Sequence, residues 1–217
     1  MSAKHEAVRQ NEAINRRYTA LSGCSCNLSC GGALGLSGPR QAELCADLGS
    51  GRGGDVLRLA RLVGPEGFVY GIDLSDGMVR AAREEAARRG AGNVRFIQAP
   101  LDAIPLPDGL LDLVLSNCTI NHAEDKPAVW AEVHRLLKPG GRFVVSDIYA
   151  LSEVPPAYRR DPRAVAECWA GADTRAVYLT TLEEAGFERL AILEESTPYP
   201  KGAVEVASFT IRGFKPC

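Results

Sequence analysis

Seven cysteines in 217 residues pose the first chemical question. Cys24, Cys26 and Cys30 crowd one stretch, Cys118 sits in Ser116-Asn117-Cys118-Thr119-Ile120-Asn121-His122, and Cys168 in Ala166-Glu167-Cys168-Trp169-Ala170-Gly171. Thiolates are soft donors, and several of them brought to one spot select a thiophilic substrate or metal. An odd count leaves at least one thiol outside any set of disulfides. Cys45 lies in a short apolar run and is expected in the core, and Cys217, the last residue, as a bystander. Cys-x-Cys-x3-Cys over 24–30 lacks the paired spacing of the usual zinc sites. His122, the sole histidine near these segments, reads as an edge or capping residue rather than a proton carrier.

A second constellation is Asp47-Leu48-Gly49-Ser50-Gly51-Arg52-Gly53-Gly54. Glycines at a strand-to-helix turn let a ligand lie against the backbone, and the helix start offers free N–H groups. Asp73, roughly 20 residues on, can accept hydrogen bonds from both ribose hydroxyls of an adenosine. Gly49, Gly51 and Gly54 satisfy G-x-G-x-x-G, so the glycines alone admit either NAD or S-adenosylmethionine. Asp47 separates the two. A carboxylate at that strand end repels a pyrophosphate but suits a sulfonium and an ammonium. Leu101 and Asp102 follow the third strand, where the leucine can cover an adenine ring and the acid can accept from its amino group. Leu74, next to Asp73, and Asn117, at the end of the fourth strand, complete the candidate cofactor contacts.

The elements that must position these residues follow from periodicity. A polar helix is expected over 4–20 and an irregular Gly/Ser/Cys loop over 21–38. From residue 43 strands and helices alternate. Strands are expected at 44–48, 68–74, 94–98, 111–117 and 142–147, and helices at about 56–63, 76–89 and 126–137. Alternation with apolar strands means a parallel sheet covered on both faces. Residues 151–176 form an insertion with one helix near 161–170. A short helix over 181–185 and an antiparallel strand pair, 188–195 and 204–215, close the chain. The expected organisation is an N-terminal helix and Cys-rich lid loop over 1–40, then an α/β domain over 41–217. Its sheet is doubly wound, seven-stranded and mostly parallel, with an antiparallel last strand. Open sheets of this kind bind ligands at the carboxyl ends of their strands, which brings Cys118 to the methyl-donor side.

Composition excludes other classes. Lys+Arg number 25 and Asp+Glu 27, and no basic face suited to nucleic acid exists. The densest charge run, Arg80–Arg89, mixes signs at i,i+4 spacing, as on a solvated helix face. No apolar run reaches the ~20 residues of a membrane span, and the first residues lack a signal-peptide core. The expected compartment is the cytoplasm, where thiols stay reduced.

Asp47-Leu48-Gly49-Ser50-Gly51, Gly71-Ile72-Asp73-Leu74, Ser116-Asn117-Cys118-Thr119-Ile120-Asn121, Leu137-Lys138-Pro139-Gly140-Gly141, Ser146-Asp147-Ile148-Tyr149 and Glu167-Cys168 together resemble the arsenite methyltransferase family. The closing Phe209-Thr210-Ile211-Arg212-Gly213-Phe214-Lys215 is similar too. The resemblance implies a class I, Rossmann-like methyltransferase fold. It further implies that Cys118 and Cys168 bind trivalent arsenic, with Cys30 as the third thiolate. The arsenic lone pair would then take the methyl of S-adenosylmethionine, and glutathione or thioredoxin would restore the trivalent state. Three readings compete: methylation of another small metabolite such as a quinone precursor, thiol-based metalloid binding without catalysis, and NAD-dependent reduction.

Overall fold

The computed structural model describes residues 3–23 and 32–217. Its first helix, α1 (Ala3–Leu21), is the expected polar one, and a single turn, α2 (Ala33–Leu36), precedes the first strand. β1 (Leu44–Leu48), α3 (Gly54–Val63), β2 (Phe68–Asp73), α4 (Asp76–Arg88) and β3 (Val94–Gln98) then alternate as their apolar spacing requires. Ser75 caps α4, its Oγ accepting from the Met78 N–H, and Gly90 follows the helix at φ +63°. β4 (Leu111–Asn117), α5 (Lys126–Leu136) and β5 (Leu137–Ala150) continue the series, with Asp125 capping α5.

The insertion differs from expectation. Instead of one helix over 161–170 it forms α6 (Pro156–Arg159), α7 (Pro162–Val165) and a 3-10 turn, Trp169–Gly171. Asp161 caps α7 through the Arg163 N–H, and Cys168, at φ +72°, ends any helical continuation. α8 (Arg175–Glu184) starts six residues before the expected helix. Thr174 caps it, and only Tyr178 and Leu182 are buried, too thin a stripe to read as a long amphipathic helix. β6 (Glu188–Glu195), β7 (Tyr199–Lys201) and β8 (Val204–Phe214) finish the chain.

The strand order is β3-β2-β1-β4-β5-β8-β6. β1 through β5 pair in parallel, and β8 runs antiparallel to both β5 and β6. This is the expected doubly wound sheet, with one addition: the short β7 pairs with β8. Helices cover both faces. Trp130 of α5 packs against Phe143 of β5 at 4.9 Å between ring centroids, and Phe143 against Phe187 at 4.8 Å. On the other face Val56, Leu59 and Val63 of α3 join Val79 and Ala82 of α4 over the buried strand residues Cys45, Leu113 and Val144. The order of connections reverses between β1 and β4, and a crevice opens at their carboxyl ends.

Candidate functional site

A cleft of about 1870 Å³ occupies that crevice. One wall is the turn after β1. Gly49 (φ +73°) and Ser50 donate their N–H groups to the Ile72 carbonyl at 2.8 and 2.9 Å, so the turn folds back onto β2. A Cβ on Gly49 would lie 2.0 Å from Thr119 Oγ1, so glycine is required for the turn to pass beneath the segment that carries Cys118.

Asp73 ends β2 inside the cleft. Its Oδ2 accepts from the Gly51 N–H and its Oδ1 from the Ser75 N–H, both at 2.8 Å. Burial raises its pKa and these two bonds oppose the rise. Each oxygen keeps a lone pair, which suits a vicinal diol. Asp47 is buried at the end of β1, and burial, reinforced by Asp55 and Asp73, lifts its pKa well above the usual carboxylate range. A carboxylate in such a place is relieved by an incoming cation. Ser50 Oγ is buried beside the cleft with no hydrogen-bond partner among the described residues. The donor set therefore fits an adenosine that carries cationic groups. Leu74, Leu101 and Asp102 also line the cleft, Asp102 exposed and the two leucines half-buried. Asn117 lines it too, its amide donating to Asp55 Oδ2 at 3.1 Å and accepting from the Ala33 N–H at 3.3 Å.

The thiol segments meet on the same wall, next to the turn after β1. Cys118 follows β4 at φ +54° and Cys168 sits at φ +72°, two of the four non-glycine residues with positive φ among the described residues. Such backbone costs roughly 1–3 kcal/mol per residue and persists only where its surroundings fix it. Here the fixing contacts are visible. The Cys118 N–H donates to the Ser146 carbonyl at 2.8 Å, and the Asn121 amide donates to Asp147 Oδ1 and to the Ile148 carbonyl at 2.8 and 2.7 Å. A Cβ on Gly171 would lie 1.9 Å from the Asn121 carbonyl, so the insertion docks backbone to backbone against the turn after β4. Cys168 Sγ consequently lies 3.0 Å from the Cys118 carbonyl oxygen.

His122, which the sequence reads as an edge or capping residue rather than a proton carrier, stands against the thiol of Cys168. It is buried, and its Nε2 lies 2.8 Å from Cys168 Sγ and 3.4 Å from the Tyr18 hydroxyl. Burial, with the Arg17 and Lys201 charges nearby, pushes its pKa down to about 4. No pattern in the sequence signalled this pairing, because residues 122 and 168 come together only through the insertion. α1 closes the cleft from above. Gln10 donates to the His122 carbonyl, Thr19 bonds Ser75, and Arg17 pairs with Glu167 of the insertion at 3.6 Å.

Cys24, Cys26 and Cys30 lie outside the described residues. Among the described residues no group of three or more His, Cys, Asp and Glu side chains is arranged to hold a metal ion, and no helix is long and apolar enough to cross a membrane. Cys45 is buried in β1, as expected of a core residue.

The chain is similar to several known proteins. A family described as "Methyltransferase domain" matches residues 42–186. The arsenite methyltransferase of Halobacterium salinarum is 36% identical over 179 residues, 82% of this chain and 46% of that protein. A ubiquinone/menaquinone biosynthesis C-methyltransferase from Marinomonas sp. is 37% identical over 113 residues, 52% of this chain and 45% of that protein. The crystal structure of an arsenic(III) S-adenosylmethionine methyltransferase from Chlamydomonas reinhardtii superposes with a TM-score of 0.76 at 30% identity, covering 94% of this chain and 74% of that one. The chain spans under half the length of the curated relatives it matches.

Proposed function

This chain belongs to the arsenite methyltransferase family, and from that premise we propose that it transfers a methyl group from S-adenosylmethionine to trivalent arsenic held by its cysteines. The observation that carries the reading is the meeting of Cys118 and Cys168 on the wall of the cleft that also holds Asp47, the glycine turn and Asp73. Both cysteines keep left-handed backbone to be there.

When bound, S-adenosylmethionine supplies an electrophilic methyl on a sulfonium. Asp73 would hold the ribose hydroxyls and Asp47 the cationic portion. Leu101 and Asp102 would take the adenine, and Gly49, Ser50, Gly51, Leu74 and Asn117 would form the rest of the cradle. Cys118 and Cys168, with Cys30 as third thiolate, would hold arsenic with its lone pair toward the donor, and this positioning supplies much of the rate. α1 and the insertion would serve as lids that exclude water. A thiol reductant, glutathione or thioredoxin, would return arsenic to the trivalent state between turnovers, and the reaction would run in the cytoplasm.

The test is methyl transfer from labelled S-adenosylmethionine to arsenite with a thiol present. Activity is expected in the wild type and absent from the Cys118→Ser, Cys168→Ser double variant. Full activity in that variant would exclude thiol-held arsenic. The C-methyltransferase relative makes a carbon acceptor such as a quinone precursor the second reading. Cofactor binding without arsenite-dependent turnover would favour it.

A further inference from the structure

Proposed arsenic chemistry leaves one step unassigned: a buried thiol must lose its proton when its sulfur bonds the substrate. We infer that His122 is the proton acceptor for Cys168 during substrate capture, a role that rests on the arsenic reading above.

Cys168 Sγ stands 2.8 Å from His122 Nε2, and the thiol is buried, so bulk water does not compete for its proton. Nε2 faces two groups, the Cys168 thiol and the Tyr18 hydroxyl, and a ring protonated on Nδ1 offers them an acceptor. In that tautomer the Nε2 lone pair lies within reach of the Cys168 thiol proton, 2.8 Å from its sulfur. Among the described residues the charged groups acting on the ring are Arg17 of α1 and Lys201 of β7, both cations, and neither is the hydrogen-bond partner of Nε2. The backbone that carries the ring is fixed: the His122 backbone N–H donates to the Thr119 carbonyl, its backbone carbonyl accepts from Gln10, and Ile120, two residues before it, is wholly buried. Cys168 is held equally firmly, its N–H donating to the Val165 carbonyl at 2.9 Å. A nucleophile within hydrogen-bond reach of a fixed base is the arrangement that activates a thiol.

The step balances without an oxidant. The Cys168 sulfur attacks the arsenic of neutral arsenous acid, the S–As bond forms and one As–OH bond breaks. The thiol proton passes to His122 Nε2 and from there to the departing hydroxide, which leaves as water. Arsenic stays trivalent and the imidazole returns to its neutral form. In the resting state the Cys168 thiol donates to the Cys118 carbonyl at 3.0 Å, and rotation about the Cβ–Sγ bond turns its proton to His122 Nε2 as the sulfur bonds arsenic.

The decisive variant is His122→Gln, whose amide oxygen still accepts a hydrogen bond but does not take a proton. Capture is followed at one fixed pH by quenching of tryptophan emission, Trp169 being the indole next to Cys168, on mixing with sodium arsenite, without cofactor. In parallel, iodoacetamide alkylation of the Cys168 peptide is timed by mass spectrometry. The expected result is a capture rate lowered roughly 100-fold, slower alkylation of Cys168, and an unchanged melting temperature. Capture and alkylation both within about twofold of wild type would overturn the inference and leave His122 a structural residue. Wild-type protein that takes no arsenite, yet shows His122-dependent alkylation, would instead overturn the arsenic reading and leave the thiol–imidazole pair standing. Where His122→Gln melts early, His122→Ala with added imidazole decides the matter. Restored alkylation supports the inference and an unmoved rate overturns it.

Discussion

The Cα hydrogen of Gly49 faces Thr119 so closely that a methyl group there would lie 2.0 Å from the threonine Oγ1. The cofactor-side turn and the Cys118 segment are thus packed as one wall. Gly49→Ala is expected to cost about 2–4 kcal/mol, combining left-handed backbone strain with overpacking. Adding Thr119→Gly should recover only the overpacking part, because φ stays at +73°. Denaturant unfolding of the single and double variants measures both. Equal stability of Gly49→Ala and wild type would refute the account.

Asp47 is expected to trade stability against cofactor affinity. Its pKa is raised in the folded chain, above all by burial. Between the unfolded and folded pKa values the native state holds the extra proton, so stability falls as pH rises through that window. Asp47→Asn should therefore melt higher than wild type at pH 7.5, by roughly 2–4 °C per kcal/mol gained. The difference should shrink at pH 5, where the wild-type carboxyl is closer to neutral. The same variant should bind S-adenosylmethionine at least ~10-fold more weakly by calorimetry, about 1.4 kcal/mol.

Asp147 provides a pH signature of its own. Burial pushes its pKa up to about 7, while the N–H donors of Ile148 and Asn121 pull the other way. Against an unfolded value of about 3.9, its contribution to stability falls as pH rises from about 4 to about 7 and is flat above. Asp147→Asn keeps an acceptor for both donors and should flatten this part of the melting-temperature profile between pH 5 and pH 7.5. An unaltered slope would show that other groups set it.

Arg142 and Glu43 form a buried bidentate pair at 2.8 and 3.0 Å, and Arg142 also donates to the Ser37 and Gly38 carbonyls. This pair fastens the segment before β1 to β5. Glu43→Ala strands the guanidinium charge and is expected to cost about 3–5 kcal/mol, read by urea unfolding. A loss below about 1 kcal/mol would mean that the two carbonyls suffice.

Gly202 stands at φ +61°, and a Cβ there would fall 2.2 Å from Trp169 Cε2. Gly202→Ala must displace the indole, and Cys168 precedes that ring directly. Arsenite affinity is expected to fall while S-adenosylmethionine affinity holds, a split that separate calorimetric titrations reveal.

Residue pattern alone gave the order and direction of the main elements and the glycine-turn half of the candidate site. β1, β3 and β4 fall on the residues their apolar runs mark, and the Ser75 cap is where it was expected. Asp47, the glycines and Asp73 were legible because their chemistry is local: a turn, a helix start and a strand end lie within one βαβ unit. Only the tertiary structure decided the other half. The 151–176 insertion breaks into short turns because Asp161 caps one and Cys168 adopts positive φ, neither of which periodicity encodes. The pairing of Cys168 with His122 and with the Cys118 carbonyl depends on Gly171 seating against Asn121. Contacts between residues some fifty positions apart are fixed by how the chain packs, and local residue preference carries no record of them.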